Sequence, residues 1–371
     1  MRWLFRRRSQ FPPGGTHDPR PRPLRIRRAF AMSPDGPVPV TILTGFLGAG
    51  KTTLLNGLLR HPAFDKTAVL INELGAVGLD HLLVQPAVGE DVMLMEGGCI
   101  CCTFRDEVGL ALLPLLPRIR AGEVRRVVIE TTGLADPAPL VFSLIGSGEA
   151  ASAFRLDGIV AVLDAVNGAD QLEREYECAQ QAAMADRIVI SKVDLAGAAG
   201  RAELEERLMR LNRSATCHSA DEVLADPGLI LSAGLYDAGA GRIDTHRWLR
   251  QRPLRCEPTD GPASPHDSGI ASYSFTQAEP IDWPDFANRL ENFVSAHGDN
   301  LLRLKGILNL SGEARPCVIH GVKHYFYPPS LLPGWPQADA RSSRIVVLAR
   351  DLSEARIRDE LGLKVLANEA G

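Results

Sequence analysis

From Val38 onward the chain alternates short apolar runs with stretches of helical periodicity. The runs Val38 to Leu43, Ala68 to Ile71, Val92 to Met95, Val127 to Ile129, Gly158 to Leu163 and Arg187 to Ile190 predict strands. Several are apolar throughout, as strands covered on both faces are. Between them Leu54, Leu55, Leu58 and Leu59 recur at helical spacing, as do Leu110, Leu112, Leu113 and Leu116, the second set interrupted by Pro114. A further helix is predicted over Ala202 to Asn212, where Leu204, Leu208 and Leu211 form one apolar stripe among charges. Apolar strands alternating with helices predict an α/β domain built on a mainly parallel sheet, assigned to residues 37–239.

The pattern then changes. Residues 240–268 are rich in Arg, Pro, Gly and Asp and contain the turn-prone run Pro258, Thr259, Asp260, Gly261, Pro262. They read as a linker whose trimming matters little to either core. Beyond it, Ile270 to Phe275, Leu301 to Leu310, Pro316 to Val322 and Arg344 to Ala349 predict strands, and Trp283 to Val294 and Ser353 to Leu361 predict helices. Phe286, Leu290 and Phe293 give the first of these helices an apolar face. The expectation is a smaller α+β domain over residues 269–365, with no internal repeat.

Composition narrows the class. At 371 residues with 45% hydrophobic and 23% charged residues, the chain is long enough for two cores, and 7 Cys are too few for a disulfide scaffold. A reducing, cytoplasmic setting is expected. Residues 1–36 stand apart as a basic, Pro- and Gly-rich disordered tail. Met32 lies just before the first strand, which makes it the expected start of translation. Residues 1–31 hold 9 Arg and one acid, Asp18; without them the formal net charge moves from −4 to −12. So acidic a body excludes nucleic acid as the expected partner. No run of about 20 apolar residues occurs, so no membrane span is expected.

The chemistry begins at Gly45-Phe-Leu-Gly48-Ala49-Gly50-Lys51-Thr52, directly after a strand and before the helical run that starts at Thr53. In that context glycines let backbone N–H groups converge on phosphate oxygens, a helix N-terminus adds favourable polarity, and a lysine reaches the β- and γ-phosphates. Gly45, Gly48, Ala49, Gly50, Lys51, Thr52 and Thr53 are therefore the expected nucleotide-binding set, with the Thr52 hydroxyl directed to Mg²⁺. Val127-Val-Ile-Glu130-Thr-Thr-Gly133 places an acid at a strand end and a glycine three residues on. Glu130 is expected to hold Mg²⁺ through water or to position the attacking water, and the Gly133 N–H to sense the γ-phosphate, which with Lys51 completes the catalytic set. Ser191-Lys192-Val-Asp194 follows another strand. Asp194 can accept two hydrogen bonds from guanine and Lys192 can cover the ring, which favours GTP over ATP.

Two further features suggest metal. Asn72-Glu73-Leu-Gly75 follows the second strand, where Glu73 and Asp80 read equally as metal ligands or as solvated acids. Glu96-Gly-Gly-Cys99-Ile-Cys101-Cys102 puts three thiols into four positions. Thiolates suit Zn(II) or Cu(I), and three of them with one oxygen or exogenous ligand make an incomplete tetrahedral site suited to transfer. A redox or buried role for Cys99, Cys101 and Cys102 is the competing reading. Cys178, Cys217, Cys256 and Cys317 read as structural or incidental, and His320 and His324, which flank Gly321-Val-Lys, read as packed or surface residues before residues facing a cleft.

Taken together, Gly45 to Thr52, Asn72 to Asp80, Cys99 to Cys102 and Glu130 to Pro137 resemble the motifs of the CobW-like P-loop GTPases, the class that includes urease and hydrogenase nickel-insertion GTPases. Leu302-Arg303-Leu-Lys305-Gly306, Ser343-Arg344 and Arg350-Asp351-Leu352 are similar to features of that family's C-terminal domain. The resemblance implies GTP hydrolysis with Mg²⁺, coupled to delivery of Zn(II), or of Co(II), to a client metalloprotein. It implies that Glu73 shares the transferred metal with the three cysteines. It allows a homodimer. It also keeps open a cobalt chaperone for cobalamin synthesis, an activator of a nitrile-hydratase-type enzyme, and a nucleotide switch without metal transfer. Two positions depart from the family pattern. Ser191 stands where Asn usually begins the guanine motif, putting a base contact in question, and Ala76 stands where an acid is frequent.

Overall fold

The computed structural model describes residues 37–71, 92–94, 111–145, 153–231, 269–327, 329–335 and 341–364. The expected tail, the linker, Glu73, Asp80, Cys99, Cys101, Cys102 and Cys256 lie outside these residues.

Seven parallel strands form the first sheet: β1 (Val38–Thr44), β2 (Thr67–Ile71), β3 (Val92–Leu94), β4 (Arg126–Glu130), β5 (Phe154–Asp164), β6 (Arg187–Ser191) and β7 (Thr216–Ser219). Their order is β3-β2-β4-β1-β5-β6-β7. All five residues of β2 and of β6 are buried, which is the two-sided burial that their unbroken apolar character predicts. Among the described residues the helices are α1 (Lys51–Leu58), α2 (Leu116–Arg120), α3 (Ala138–Ile145), α4 (Gly168–Arg174), α5 (Tyr176–Met184), α6 (Val193–Leu211) and α7 (Ala220–Ala225). The leucine run around Pro114 is not one continuous α-helix. A 3₁₀ turn over Leu113–Leu115 carries the proline at its start, and α2 follows at Leu116. The helix expected from Ala202 begins earlier, at Val193, and breaks at Gly197, whose φ is +68°.

The second sheet is antiparallel among its described pairings. It contains β8 (Ile270–Gln277), β9 (Leu301–Leu308), β10 (Cys317–Val322), β11 (Tyr325–Phe326), β12 (Ser330–Leu331) and β13 (Ser343–Arg350), in the order β11-β10-β9-β13-β8 with β12 on β10. Two helices, α8 (Trp283–His297) and α9 (Glu354–Leu361), cover one face. Phe286, Leu290, Phe293, Ile357 and Leu361 pack there with Leu304, Leu308, Ile319, Ile345 and Val347. N-caps define both helix starts: Asp282 accepts the Asp285 N–H at 3.0 Å, and Ser353 accepts the Arg356 N–H at 3.3 Å.

The other face of this sheet is not solvated. Ile270, Ile307, Val318, Val322, Val346 and Leu348 join one apolar cluster with Cys178, Ala182, Leu204 and the core of the first sheet. The two domains thus share a core, and α5 lies where they meet, with every residue from Cys178 to Met184 buried. All eight residues of β9 are buried although two are charged. Arg303 and Lys305 are accommodated by Asp186: Arg303 Nη2 lies 2.5 Å and Lys305 Nζ 2.8 Å from Asp186 Oδ1, and a second Arg303 nitrogen donates to the Met184 carbonyl. Asp186 Oδ2 accepts the Ile159 N–H at 3.0 Å. Burial alone would raise the Asp186 carboxyl, but the two cations hold it well below the usual carboxylate range.

Candidate nucleotide site

The parallel register aligns the carboxyl ends of four strands. Leu43 of β1 pairs with Glu130 of β4, Glu130 with Ile71 of β2, and Ile71 with Leu94 of β3. A site assembled from the segments that follow these ends is the usual outcome in open α/β sheets.

After β1 the chain turns through Gly45, Gly48 and Gly50, which have φ of +143°, +72° and +92°. Gly45 has no room for a side chain, since a Cβ there would lie 2.3 Å from the Val162 carbonyl oxygen. Helix α1 opens immediately afterwards with Gly50 as its N-cap, so its first N–H groups point into the loop. The buried Lys51 ammonium lies inside that loop, donating to the Gly45 carbonyl at 2.8 Å and the Phe46 carbonyl at 3.2 Å. Thr52 Oγ1 donates to Glu130 Oε1 at 2.6 Å. A hydroxyl and a buried carboxylate side by side at a phosphate loop are the hard oxygen donors that Mg²⁺ takes, so these residues fit that ion. Thr53, the next residue, is exposed on α1.

The segment after β4 is held from several sides. The Thr131 N–H donates to the Leu43 carbonyl at 2.9 Å and its hydroxyl to Thr44 Oγ1 at 2.9 Å. Gly133 packs so tightly on the phosphate loop that a Cβ would come within 2.8 Å of the Leu47 backbone. The buried Gln181 amide, on α5, donates to the Gly133 and Ala135 carbonyls at 3.1 and 3.0 Å. Asp136 Oδ1 accepts the Ala138 N–H at 2.9 Å, and Lys323 of the second domain approaches Asp136 Oδ2 to 2.5 Å.

At the far side of the loop, Ser191 does more than replace an amide. Its hydroxyl lies 2.7 Å from the Ala49 carbonyl and 3.3 Å from the Leu163 carbonyl, tying β6 to the phosphate loop. Lys192 adopts a left-handed conformation, φ +54°, and its ammonium lies 2.5 Å from Asp164 Oδ2. Asp164 also accepts the Val166 N–H at 2.7 Å and Asn167 Nδ2 at 3.0 Å. Burial pushes its carboxyl up, but these hydrogen bonds outweigh it and leave it ionised below its ordinary range. Asp194 is exposed in the first turn of α6, two residues beyond Lys192.

Three residues of this site have no counterpart in the sequence reading: Asp164, Gln181 and Lys323. Asp164 carries the same signal as Glu130, an acid that ends an apolar strand, and that signal could have found it. Cys178 and Cys317 are buried and Cys217 is half-buried, and burial raises all three thiols to about 12. His320 stacks flat on Tyr327 with ring centroids 3.9 Å apart, and His324 lies 3.0 Å from Asp299.

A glycine-rich loop closed by a lysine, a hydroxyl on a strand-end carboxylate and a parallel sheet define a P-loop nucleotide-binding protein. Comparison with known proteins makes the class particular. The model of the CobW/HypB/UreG nucleotide-binding domain matches residues 39–219, and that of the cobalamin synthesis protein cobW C-terminal domain matches residues 270–363. The chain belongs to this family of P-loop GTPases. It is 32% identical over 292 residues to the zinc chaperone YjiA of Escherichia coli, covering 78% of this chain and 87% of that protein. It is 29% identical over 360 residues to the zinc chaperone CobW of Sinorhizobium sp, covering 88% and 97%. The crystal structure of Zn(II)-bound YjiA GTPase superposes with a TM-score of 0.67 at 28% identity, covering 89% of this chain and 99% of that one. Among the described residues no helix is long and apolar enough to cross a membrane.

Proposed function

We propose that the chain couples GTP hydrolysis to delivery of a transition metal, Zn(II) before Co(II), to a client metalloprotein in the cytoplasm. The observation that carries this reading is the register Leu43–Glu130–Ile71–Leu94. Adjacent strands lie about 4.8 Å apart, so the end of β3 is roughly 14 Å from the end of β1. Cys99 follows Leu94 by five residues, and Glu73 follows Ile71 by two. The strands that precede the acidic segment and the thiol motif in the sequence therefore end on the same side of the sheet as the strand that precedes the phosphate loop, which supports one shared site. The similarity to proteins described as zinc chaperones supports zinc as the cargo.

In this reading the N–H groups from Gly45 to Thr53 take the phosphates of GTP, and Lys51 turns from the Gly45 and Phe46 carbonyls to the β- and γ-oxygens. Thr52 and Glu130 would hold Mg²⁺, which when bound neutralises charge on the phosphates. Glu130 orients the attacking water and the Gly133 N–H faces the γ-phosphate. Lys192 covers the base and Asp194 accepts from its guanine edge. Glu73 joins Cys99, Cys101 and Cys102 on the metal when GTP is bound and leaves them after hydrolysis.

The test is a chelator-calibrated titration of reduced protein with Zn(II) and Co(II), in GDP and in a non-hydrolysable GTP analogue. Stoichiometric Zn(II) binding that tightens with the analogue and disappears in the Cys99→Ala/Cys101→Ala/Cys102→Ala protein is the expected result. Equal affinity in the two nucleotide states would overturn the coupling, and a preference for Co(II) would overturn zinc as the cargo.

A further inference from the structure

Two ion-pair contacts between the second domain and the GTPase domain differ in how dry they are. The first is the Arg303–Asp186–Lys305 group, whose side chains are only 5, 4 and 2% exposed. Contacts as dry as this are strongly coupled to the packing around them and do not open separately from it. The second lies at the turn between β10 and β11. Lys323 there has φ +50°, and its ion pair with Asp136 leaves the two side chains 17 and 31% exposed. Beside it the Tyr325 ring lies 4.5 Å from that of Phe142 on α3.

A part-exposed ion pair adds little to stability, and a lysine in the left-handed region costs some. The significance of this contact lies in where it ends. Asp136 belongs to the segment 131–137, which includes Gly133 against the phosphate loop. The GTPase domain itself fixes that segment through Thr131 on Leu43 and Thr44 and through Gln181 on Gly133 and Ala135. The Asp136 carboxylate has one oxygen bound to the Ala138 N–H at the start of α3, so a pull on the other oxygen is passed to the segment and not absorbed by side-chain rotation.

We propose that Lys323 is a positioning residue for GTP hydrolysis: through Asp136 the C-terminal hairpin holds the segment 131–137 where it meets the γ-phosphate. The proposal rests on the reading of Gly133 as the γ-phosphate contact. It makes the C-terminal domain part of the hydrolytic apparatus, since ordering that the hairpin supplies in advance does not have to be supplied by the nucleotide. GDP, which lacks the γ-phosphate, is indifferent to it.

The experiment compares the full chain with Lys323→Gln, Lys323→Arg, Asp136→Asn and the Lys323→Gln/Asp136→Asn double variant. Asp136→Asn keeps an oxygen for the Ala138 N–H. Affinities for fluorescent GDP and for a non-hydrolysable GTP analogue are measured together with kcat. Lys323→Gln is expected to weaken the analogue by roughly 3- to 10-fold while GDP stays within about twofold, and to lower kcat in parallel. Lys323→Arg recovers most of the loss, Asp136→Asn reproduces it, and the double variant is no worse than either single one. Loss of GDP and analogue affinity together, no change in either, a tighter analogue, or an Arg variant no better than Gln would overturn the proposal. Amide exchange of residues 131–137 in the unaltered chain separates the two ideas. Equal exchange with GDP and analogue sinks the γ-phosphate reading of the segment. Protection by the analogue, with Lys323→Gln indifferent, sinks the role of Lys323 alone.

Discussion

The Ser191 hydroxyl ties two parts of the nucleotide site together. It spans the Ala49 and Leu163 carbonyls inside a buried pocket, so it holds the phosphate loop against β6 without touching the transferred phosphoryl group. Ser191→Ala removes a net hydrogen bond worth about 1 kcal/mol. Its expected effect is a roughly fivefold loss of affinity shared equally by GDP and GTP, with kcat at saturation unchanged; titration of both nucleotides and steady-state kinetics check it. A departure from the family pattern that in sequence terms concerns the base thus acts in the structure on the loop. The residues that were legible in the sequence, Gly45, Lys51, Thr52 and Glu130, are those whose chemistry requires a fixed offset from a strand end. Gln181 and Lys323 reach their partners from 48 and 187 positions away, and no local pattern marks them.

Helices were legible to the extent that each has one wet face, whereas strands buried on both faces, such as β2 and β6, read from their short apolar runs. Helix α8 shows its stripe of Phe286, Leu290 and Phe293, and the chain around it reads correctly. Helix α5 is buried on every side from Cys178 to Met184, so its Ala and Gln residues form no stripe that would mark a helix in the sequence. Strand β9 reads as a strand, but the burial of Arg303 and Lys305 depends on a carboxylate more than a hundred positions earlier. The same cluster sets a pH dependence through His320 on β10. Burial first, and then Arg303, push this imidazole from 6.5 down to about 3. As pH falls through 6.5 the unfolded chain takes up a proton that the folded chain refuses, so this group leaves stability unchanged well above 6.5 and lowers it as pH drops toward 3. Between pH 6.5 and 5 the loss is expected to be about 1.6 kcal/mol, seen as a falling melting temperature, and His320→Asn should flatten that slope.

For the whole molecule, the shared core means that the domain boundaries legible in composition are not boundaries of stability. The apolar cluster of the first sheet continues through Ile307, Val318 and Val346 of the second, and Asp186 is the charge on which the junction turns. Thermal unfolding is expected to show one transition for both domains, with calorimetric and van't Hoff enthalpies equal. Asp186→Asn leaves two cations facing each other without their carboxylate and should cost about 3–5 kcal/mol, lowering that single transition without splitting it; scanning calorimetry of the two proteins decides.

The Arg303–Asp186–Lys305 group also constrains how such a chain can be inherited. The carboxylate lies within the region that matches the nucleotide-binding domain, the two cations within the region that matches the C-terminal domain, and 117 positions separate Asp186 from Arg303. A recombination event that exchanged one domain for a relative's would deliver buried charges without their counterpart unless both sides of the junction arrived together. A chimera joined anywhere between residues 186 and 303 is therefore expected to fold only when its two parents agree on this triad.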